Sequence, residues 1–270
     1  MSTQKNILLA GCGNLGRAML KGWLRQDETT QFVLLETNPG LELLDLIQPF
    51  EHRIKFNPTS AFTIDAAVFA VKPQVMDEVL GQLGHSIPDN ALVISVAAGR
   101  RISSIEKHFQ ENQPVVRVMP NVAAGVGEAA SVCVANVHVS SDQRTLATTL
   151  AQAIGIVEWV TDETVLDPVT ALSASGSAYV FLLVEEMAKA GVAVGLSEEL
   201  AMKLARQTVI GAGALLKNSD TSAQDFRQSV TSPGGTTEAA LKVLMGENGL
   251  GTLMTKAIQA ATQRAKELAN

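Results

Sequence analysis

The stretch Asn6-Ile-Leu-Leu-Ala10 runs directly into Gly11-Cys-Gly-Asn-Leu-Gly16, and a helical pattern follows at once. An apolar strand, a GxGxxG turn and a helix in this order are typical of the first unit of a dinucleotide-binding sheet. Gly11 permits the tight turn, Gly13 lets the backbone approach a pyrophosphate, and Gly16 allows the helix to pack closely on the strand. The stretch therefore predicts a doubly wound α/β fold with a dinucleotide on the helix N-terminus.

The rest of the first half continues this alternation of strands and helices. β-Rich runs lie at Ile7–Ala10, Phe32–Leu35, Ala66–Val71, Ala91–Val96, Val115–Met119, Val132–Val134 and Ile156–Trp159. Their continuous apolar character predicts strands covered on both faces, as in a parallel sheet. We predict a Rossmann-type, doubly wound, mostly parallel sheet over residues 1–162.

The second half has a different pattern, because apolar residues recur there at three- and four-residue spacing. This spacing predicts helices over residues 163–173, 176–193, 198–217, 222–229, 237–246 and 250–268. Several of them are alanine-rich and apolar on more than one side, which is more apolar surface than one small domain can bury. We predict an all-α oligomerisation domain over residues 163–270, forming a homo-oligomer that is a dimer or a ring of dimers.

Composition excludes several classes of protein. The chain has 270 residues, 46% of them hydrophobic and 18% charged, with a formal net charge of −6. This balance offers no basic surface for nucleic acid. The longest apolar runs fall short of the ~20 residues of a membrane span, and the few residues before the first strand leave no room for a signal peptide. We therefore expect a cytoplasmic protein with no membrane or nucleic-acid partner.

The cysteines and histidines predict no metal site. Cys12 and Cys133 lie in different apolar segments, and no two of the four histidines are spaced four apart on one helix. We expect both thiols to be reduced. Cys12 fits as a small residue between two glycines, and a redox-sensing role is the alternative.

Further cofactor contacts are predicted at the carboxyl ends of neighbouring strands. Glu36 lies 20 residues after Gly16, where a carboxylate can accept bonds from the adenosine ribose and repel a 2′-phosphate, which favours NADH over NADPH. The alternative for Glu36 is an exposed glutamate at the end of a strand with no ligand. The alternative for Lys72, a further predicted cofactor contact, is an ordinary surface lysine. The predicted cofactor-binding residues are Gly11, Cys12, Gly13, Asn14, Leu15, Gly16, Glu36, Asn38, Ala70, Val71, Lys72, Pro73, Val96, Ala97 and Ala98.

Two segments of the second half predict a site for a small anionic substrate. In Val230-Thr-Ser-Pro-Gly-Gly-Thr-Thr237, a sharp turn precedes a helix, so backbone N–H groups and hydroxyls can form a nest for a carboxylate. An ordinary Ser/Thr helix cap is the alternative. We predict that Ser173-Ala-Ser-Gly-Ser177 is a loop that opens the next long helix and supplies the other wall of the pocket.

Five segments in order resemble the landmarks of the pyrroline-5-carboxylate reductase family over nearly the whole chain. They are AVKP at 70–73, VISVAAG at 93–99, RVMPN at 117–121, residues 171–179 and residues 230–237. The resemblance implies reduction of 1-pyrroline-5-carboxylate to L-proline, the last step of proline biosynthesis, with NADPH or NADH as cofactor. The family's substrate loop is closer to SGSGPAY, so Ala174 and Ser177 replace a glycine and a proline.

The resemblance also extends the set of candidate site residues. Asp220 matches an acidic position near the ring nitrogen, although an exposed turn aspartate is the alternative, and Asn38 stands where the family often contacts a 2′-phosphate. We name Thr237 as a candidate proton relay. The substrate-binding candidates are Ser173, Ser175, Gly176, Asp220, Val230, Ser232, Gly234, Gly235, Thr236 and Thr237.

The sequence disfavours one rival function and leaves two others open. A 3-hydroxyacid dehydrogenase-like enzyme resembles a family with a catalytic lysine in GxxxK, but here Gly176 is followed four residues later by Val180. A redox sensor that binds dinucleotide without turnover is the non-enzymatic alternative. A reductase of a related cyclic imine is the third, because a protonated imine accepts hydride without a strong acid or base from the protein.

Overall fold

The first half of the chain forms one eight-stranded sheet with helices on both faces. The structure, a computed structural model, describes residues 4–58 and 63–269. The strands are β1 Asn6–Ala10, β2 Gln31–Leu35, β3 Ile54–Phe56, β4 Ala66–Phe69, β5 Leu92–Ser95, β6 Val115–Met119, β7 Ala129–Ala135 and β8 Gly155–Trp159. Their spatial order is β3-β2-β1-β4-β5-β6-β7-β8. The β6–β7 pair is antiparallel and every other neighbouring pair is parallel. The predicted mostly parallel, doubly wound sheet is confirmed.

Strand β3 is absent from the sequence prediction. It has three residues, and Lys55 at its centre interrupts the apolar run. Pairing with β2 provides its stability, because Phe32 pairs with Ile54 and Leu34 with Phe56. Such a short edge strand follows from tertiary pairing rather than from local propensity.

Helices cover the two faces of this sheet. In the first half they are α1 Asn14–Gln26, α2 Leu41–Ile47, α3 Met76–Leu83, α4 Ile102–Glu106, α5 Ser141–Gln152 and α6 Leu166–Val169. The indole N–H of Trp23 in α1 donates to the carbonyl of Leu150 in α5 at 2.8 Å. The Trp23 ring also stacks on Phe32 of β2 at a centroid distance of 5.9 Å. These contacts fix the direction of α1, and with it the position of its N-terminus.

The second half is helical, as predicted. Its helices are α7 Gly176–Ala193, α8 Glu198–Lys217, α9 Ala223–Ser229, α10 Thr236–Leu244 and α11 Leu250–Leu268. The buried apolar cluster of this half consists of the alanines Ala188, Ala201 and Ala205, packed with Val184. Many large apolar side chains are left exposed, including Phe181 at 61% and Ile210 at 52%. These helices therefore present far more apolar surface than they bury.

The chain divides into two compact units. One comprises Met1–Ala174 with Ala261–Asn270, and the other comprises Ser175–Ala260. Leu166, which follows the sequence-based boundary at residue 162, is 1% exposed and belongs to the apolar core of the first unit. The domain boundary at 162/163 stays a prediction.

The helical run Glu163–Ala193 is long and apolar enough to cross a membrane by length and composition alone. Only 17% of its most apolar window is buried. An exposed apolar helix face of this kind requires a partner, which is either lipid or a second protein surface.

Candidate active site

The reversal of strand order between β1 and β4 places a crevice at the carboxyl edge of the sheet. β1 pairs with β2 on one side and β4 on the other, and the chain leaves both β1 and β4 at this edge. Ligands of doubly wound sheets bind in the crevice at such a switch point. The fingerprint Gly11–Gly16 follows β1, and the segment Ala70–Pro73 follows β4.

The backbone around the three fingerprint glycines leaves no room for a Cβ at two of them. Gly11 has φ +90°, and a Cβ there would lie 2.7 Å from the Val71 side chain. A Cβ on Gly16 would lie 2.2 Å from the carbonyl oxygen of Gly11, so the helix could not approach the turn. Beyond its chain neighbours, a Cβ on Gly13 would meet no atom of the described residues within 4 Å. Gly13 therefore faces open space, where a pyrophosphate can lie against the backbone.

The N-terminus of α1 is free of acidic side chains in its first turn. Its N-cap is Gly13, which has no side chain to cap the helix. The N–H groups of Asn14 and Leu15, in the first turn, have no acceptor within the helix. The positive end of the helix dipole and these N–H groups favour an anion. Gly13 to Leu15 are thus well placed to hold a diphosphate.

Glu36 is fixed at the carboxyl end of β2 by backbone N–H groups. Its Oε2 accepts from the Cys12 N–H at 2.8 Å, and its Oε1 accepts from the Asn38 N–H at 2.9 Å. Each carboxylate oxygen can accept two hydrogen bonds, so one acceptor position remains on each oxygen. The carboxylate is therefore held in place and still able to accept two neighbouring hydroxyl groups of a ribose.

Asn57 supports this arrangement and was not found from the sequence. Its Oδ1 accepts from the Glu36 N–H at 2.9 Å, and its Nδ2 donates to the Glu36 carbonyl at 2.7 Å. Asn57 has φ +42°, a left-handed conformation that asparagine tolerates better than most residues. The available signal was an Asn-Pro pair directly after a short β-like run, Ile54-Lys-Phe56.

Arg17 is a second residue near the fingerprint that the sequence interpretation did not name. Its Nη2 lies 3.0 Å from Asn14 Oδ1 and 2.6 Å from Glu42 Oε2. The Glu42 side chain is 77% exposed. The pair therefore places a guanidinium beside the first turn of α1, with an easily displaced carboxylate partner.

Cys12 is buried and poorly suited to redox sensing. Burial raises the pKa of its thiol to about 12, and the nearby Glu36 carboxylate adds to this effect. Arg17 acts in the opposite direction but is outweighed. Burial likewise raises the pKa of Cys133 to about 12. Oxidation requires the thiolate, which is nearly absent at such a pKa. The geometry thus favours the structural interpretation of Cys12.

The next two loops supply small residues at the same edge. The Ala70 N–H donates to the Ala10 carbonyl at 2.8 Å, which ties this loop to the end of β1. Val96 and Ala97 are buried at the end of β5, whereas Ala98 and Lys72 are exposed. Ala98 and Lys72 can therefore contact a ligand in the crevice, and Val96 and Ala97 shape the backbone beneath it.

The segment predicted as an anion nest lies in the helical unit and starts α10. Gly234 has φ +71° and Gly235 is the N-cap of the helix. Within this chain the Gly234 N–H donates to Glu238 Oε2 at 2.9 Å, and the Gly235 N–H donates to the Ser232 carbonyl at 3.0 Å. The N–H groups of the two threonines that begin α10 then remain for a ligand carboxylate.

The stretch predicted as a substrate loop is helical instead. Thr170–Ala174 form a π-helix, Ser175 has φ −76° and ψ −26°, and α7 begins at Gly176. The loop prediction at Ser173–Ser177 was wrong in this respect. The reason lies in packing, because Leu166 and Ala171 are both buried, and the wider π turn brings residues five apart onto one face.

The remaining substrate candidates take separate positions. Ser173 Oγ is buried and has no hydrogen-bond partner in the described part of the chain. Asp220 and Val230 are both exposed, in the turn after α8 and at the C-cap of α9. Among the described residues no group of three or more His, Cys, Asp or Glu could hold a metal ion.

This fold and this crevice define a dinucleotide-dependent oxidoreductase with a helical oligomerisation half. Family models agree, with NADP oxidoreductase coenzyme F420-dependent over residues 6–99 and pyrroline-5-carboxylate reductase dimerisation over residues 163–268. The pyrroline-5-carboxylate reductase of Pseudomonas aeruginosa is 37% identical over 100% of this chain and 98% of its own length. That of Synechocystis is 39% identical over 99% of both chains. The chain belongs to the pyrroline-5-carboxylate reductase family.

Solved structures of the same family superpose on the whole chain. The pyrroline-5-carboxylate reductase from Coxiella burnetii has a TM-score of 0.90 at 36% identity and covers 99% of this chain and 100% of its own. The NADP-bound enzyme from Plasmodium falciparum has a TM-score of 0.80 at 27% identity, with full coverage of both chains. The family and the combination of domains expected from the sequence are confirmed.

Proposed function

We propose that this chain reduces 1-pyrroline-5-carboxylate to L-proline by hydride transfer from NADPH or NADH, the last step of proline biosynthesis. The observation that carries the proposal is the match of the whole chain, rather than of one domain, to reductases of this name. The dinucleotide crevice in the first unit and the anion nest in the second supply the two kinds of site that this reaction needs.

The chemistry requires little from acid–base side chains. A bound reduced nicotinamide dinucleotide would supply a hydride to the imine carbon. With the ring nitrogen already protonated, the C=N bond would become a C–N bond and the nitrogen would keep that proton. The protein must hold the substrate carboxylate, orient the ring and exclude water. We assign the carboxylate to the N-terminus of α10, where Thr236 and Thr237 offer N–H groups and hydroxyls.

We assign the dinucleotide to the crevice of the first unit. The diphosphate would be held by Gly13, Asn14 and Leu15, and the adenosine ribose by Glu36. The segments Ala70–Pro73 and Val96–Ala98 would line the site of the nicotinamide ribose. The reduced cofactor would supply the hydride, and these residues would set its position.

The reaction is tested with the purified chain. NADH or NADPH oxidation is followed by absorbance after addition of 1-pyrroline-5-carboxylate, and L-proline is identified in the product by chromatography. We expect cofactor oxidation and proline formation in equal amounts. If the chain binds dinucleotide but turns over no substrate with NADH or NADPH, the proposal is contradicted. If it reduces only a larger or smaller cyclic imine, that imine replaces 1-pyrroline-5-carboxylate as the proposed substrate.

Thr237 is the residue whose hydroxyl we propose as proton relay. The matched pair of variants is Thr237→Ala, which removes the hydroxyl, and Thr237→Ser, which keeps it. We expect a loss of about 100-fold in kcat for the alanine variant, within the range of general acid–base catalysis, and near wild-type kcat for the serine variant. Equal kcat values for wild type and Thr237→Ala contradict the role.

The chain is a homo-oligomer through its C-terminal helices, in agreement with the dimerisation model over residues 163–268. We propose that a second copy covers the exposed apolar face of Glu163–Ala193, and that the protein is cytoplasmic, without membrane or nucleic-acid partners. Light scattering after size exclusion separates a dimer from a ring of dimers. A monomer at micromolar concentration, or recovery of the chain with the membrane fraction of its cell, contradicts this assignment.

A further inference from the structure

The RVMPN motif at residues 117–121 has no assigned role in cofactor or substrate binding, yet its first residue is a buried cation. Arg117 on β6 is 5% exposed. Its Nη1 lies 2.5 Å from Glu163 Oε1, and the Glu163 side chain is 22% exposed. A buried arginine is costly unless it is paired. Glu163 is therefore the residue that permits Arg117 at this position.

The same glutamate oxygen also holds the loop that follows β5. Glu163 Oε1 accepts from the Ile102 N–H at 2.7 Å, and Ile102 is the first residue of α4. The predicted cofactor contacts Val96–Ala98 lie just before this point in the chain. One carboxylate thus joins strand β6, the end of the cofactor loop and the start of the segment 163–174.

The last residue of the motif reaches the other end of that segment. Asn121 Nδ2 lies 3.4 Å from the carbonyl oxygen of Ser173, and Asn121 Oδ1 accepts from the Ala123 N–H at 3.3 Å. Ser173 lies within the π-helix and is itself one of the substrate-binding candidates. The motif therefore contacts residues 163–174 at both ends.

Apolar packing holds the middle of the segment 163–174 against the sheet. Leu166 lies in the apolar core of the first unit, and Val169 and Ala174 pack against that core. A cavity of about 350 Å³ has Ala98, Gly99, Arg117, Asp167 and Thr170 in its wall. Arg101 Nη2 lies 3.9 Å from Asp167 Oδ2. The polar contacts of Arg117, Glu163 and Asn121 therefore add to this packing near the two ends of the segment.

From these contacts we infer that Arg117 and Glu163 are positioning residues, which set the place of residues 163–173 relative to the cofactor loop and thereby affect hydride transfer. The inference rests on the proposed function. Hydride transfer needs the donor and acceptor carbons in a narrow range of distance, and a displacement of about 1 Å can cost 100-fold in rate. Neither residue needs to touch substrate or cofactor for this effect.

The test compares two matched neutralisations. Glu163→Gln removes the charge and keeps an amide oxygen that can accept from the Ile102 N–H. Asp65→Asn is the control, because Asp65 also accepts a backbone N–H, from Asn6 at 2.8 Å, and pairs with Lys5 at 3.4 Å, at the opposite edge of the sheet. Both variants lose one carboxylate charge that is bonded to backbone.

We expect Glu163→Gln to lose about 10-fold to 100-fold in kcat, with NADH affinity, measured by fluorescence titration, within about 3-fold of wild type. Asp65→Asn keeps its kcat. A merely structural role predicts instead that activity falls only in proportion to the fraction of chain that binds NADH. An unchanged kcat in Glu163→Gln, or an equal loss in Asp65→Asn, overturns the inference.

Backbone hydrogen exchange tests the same inference without turnover. In Glu163→Gln, peptides that cover residues 97–105 and 163–174 should both exchange faster than in wild type, whereas peptides from β1 should not. If both regions of Glu163→Gln exchange as slowly as in wild type, the inference is overturned even if the enzyme is active. Failure of the wild type to reduce the imine removes the proposed function but leaves this measurement decisive for the contact itself.

Discussion

The carboxylate of Glu36 should decide which cofactor the enzyme prefers. Hydrogen bonds from the Cys12 and Asn38 N–H groups, at 2.8 and 2.9 Å, prevent it from swinging away from an incoming 2′-phosphate. At about 5 Å, one pair of unit charges repels by roughly 1 to 3 kcal/mol for effective dielectric constants between 80 and 20. A 2′-phosphate carries about two charges near neutral pH, so roughly 2 kcal/mol is the lower figure for the repulsion.

This energy corresponds to about a 30-fold preference for NADH in kcat/KM. Glu36→Gln is the informative change, because its amide oxygen can still accept from the buried Cys12 N–H while water satisfies the exposed Asn38 N–H. We expect the ratio of kcat/KM for NADPH to that for NADH to rise by about 30-fold in the variant. The steady-state rate with each cofactor, at fixed imine concentration, gives both constants.

Asp45→Asn serves as the charge control, since Asp45 lies exposed on α2 in the same region of sequence. It removes one negative charge without removing a ribose acceptor, and we expect its cofactor ratio to stay within about 3-fold of wild type because exposed charges are well screened. A ratio that does not move in a folded Glu36→Gln enzyme, or that moves equally in Asp45→Asn, refutes the assignment of Glu36 to the ribose.

Three further outcomes follow from the geometry. Gly13→Ala should fold normally, because its Cβ would meet no described residue beyond the chain neighbours within 4 Å, and should bind NADH poorly, because the methyl group would take up space meant for the diphosphate. Gly16→Ala should lower the midpoint of urea unfolding, because its Cβ would lie 2.2 Å from a carbonyl oxygen. Equal effects of the two changes on stability contradict the assignment. Burial raises the pKa of the Cys12 and Cys133 thiols from 9.0 to about 12, so the stability that the two protonated thiols contribute is complete below pH 9 and is lost as the pH rises from 9 to 12. If the midpoint of urea unfolding falls with rising pH by the same amount in wild type and in the double alanine variant, the thiols are not the origin of the loss. The hydroxyl of Thr30 and the N–H of Thr29 lower the pKa of Asp27 from 3.8 to about 2. Asp27→Asn should therefore remove part of the loss of stability that wild type shows as the pH falls from 4 to 2. Identical acid unfolding curves for wild type and Asp27→Asn exclude this contribution.

The elements that could be predicted from the sequence are those with a strong local pattern. Helices over 176–193 and 198–217 agree with α7 and α8 residue for residue, because their apolar spacing and Ser197 cap are local signals. Strand β3 and the π-helix Thr170–Ala174 were missed, since each depends on what the segment packs against. The same difference separates the fingerprint glycines, whose roles follow from their spacing, from Asn57, whose role follows from its bonds to Glu36.

The pairing of Arg117 with Glu163 marks the limit of sequence reasoning in this chain. Arg117 lies within a family landmark and Glu163 at the start of a predicted helix, 46 positions apart in the sequence and with no local pattern that joins them. The fold brings them together through the sheet. Arg117 of β6 pairs with Val134 of β7, and β8 pairs with β7 so that its last residue, Trp159, lies level with Cys133. Glu163 follows four residues later. A charged residue in the middle of an apolar strand is nevertheless a physical signal, because its burial requires a partner. Such a strand residue therefore predicts that an acidic side chain will be found nearby, even where the sequence does not say which one.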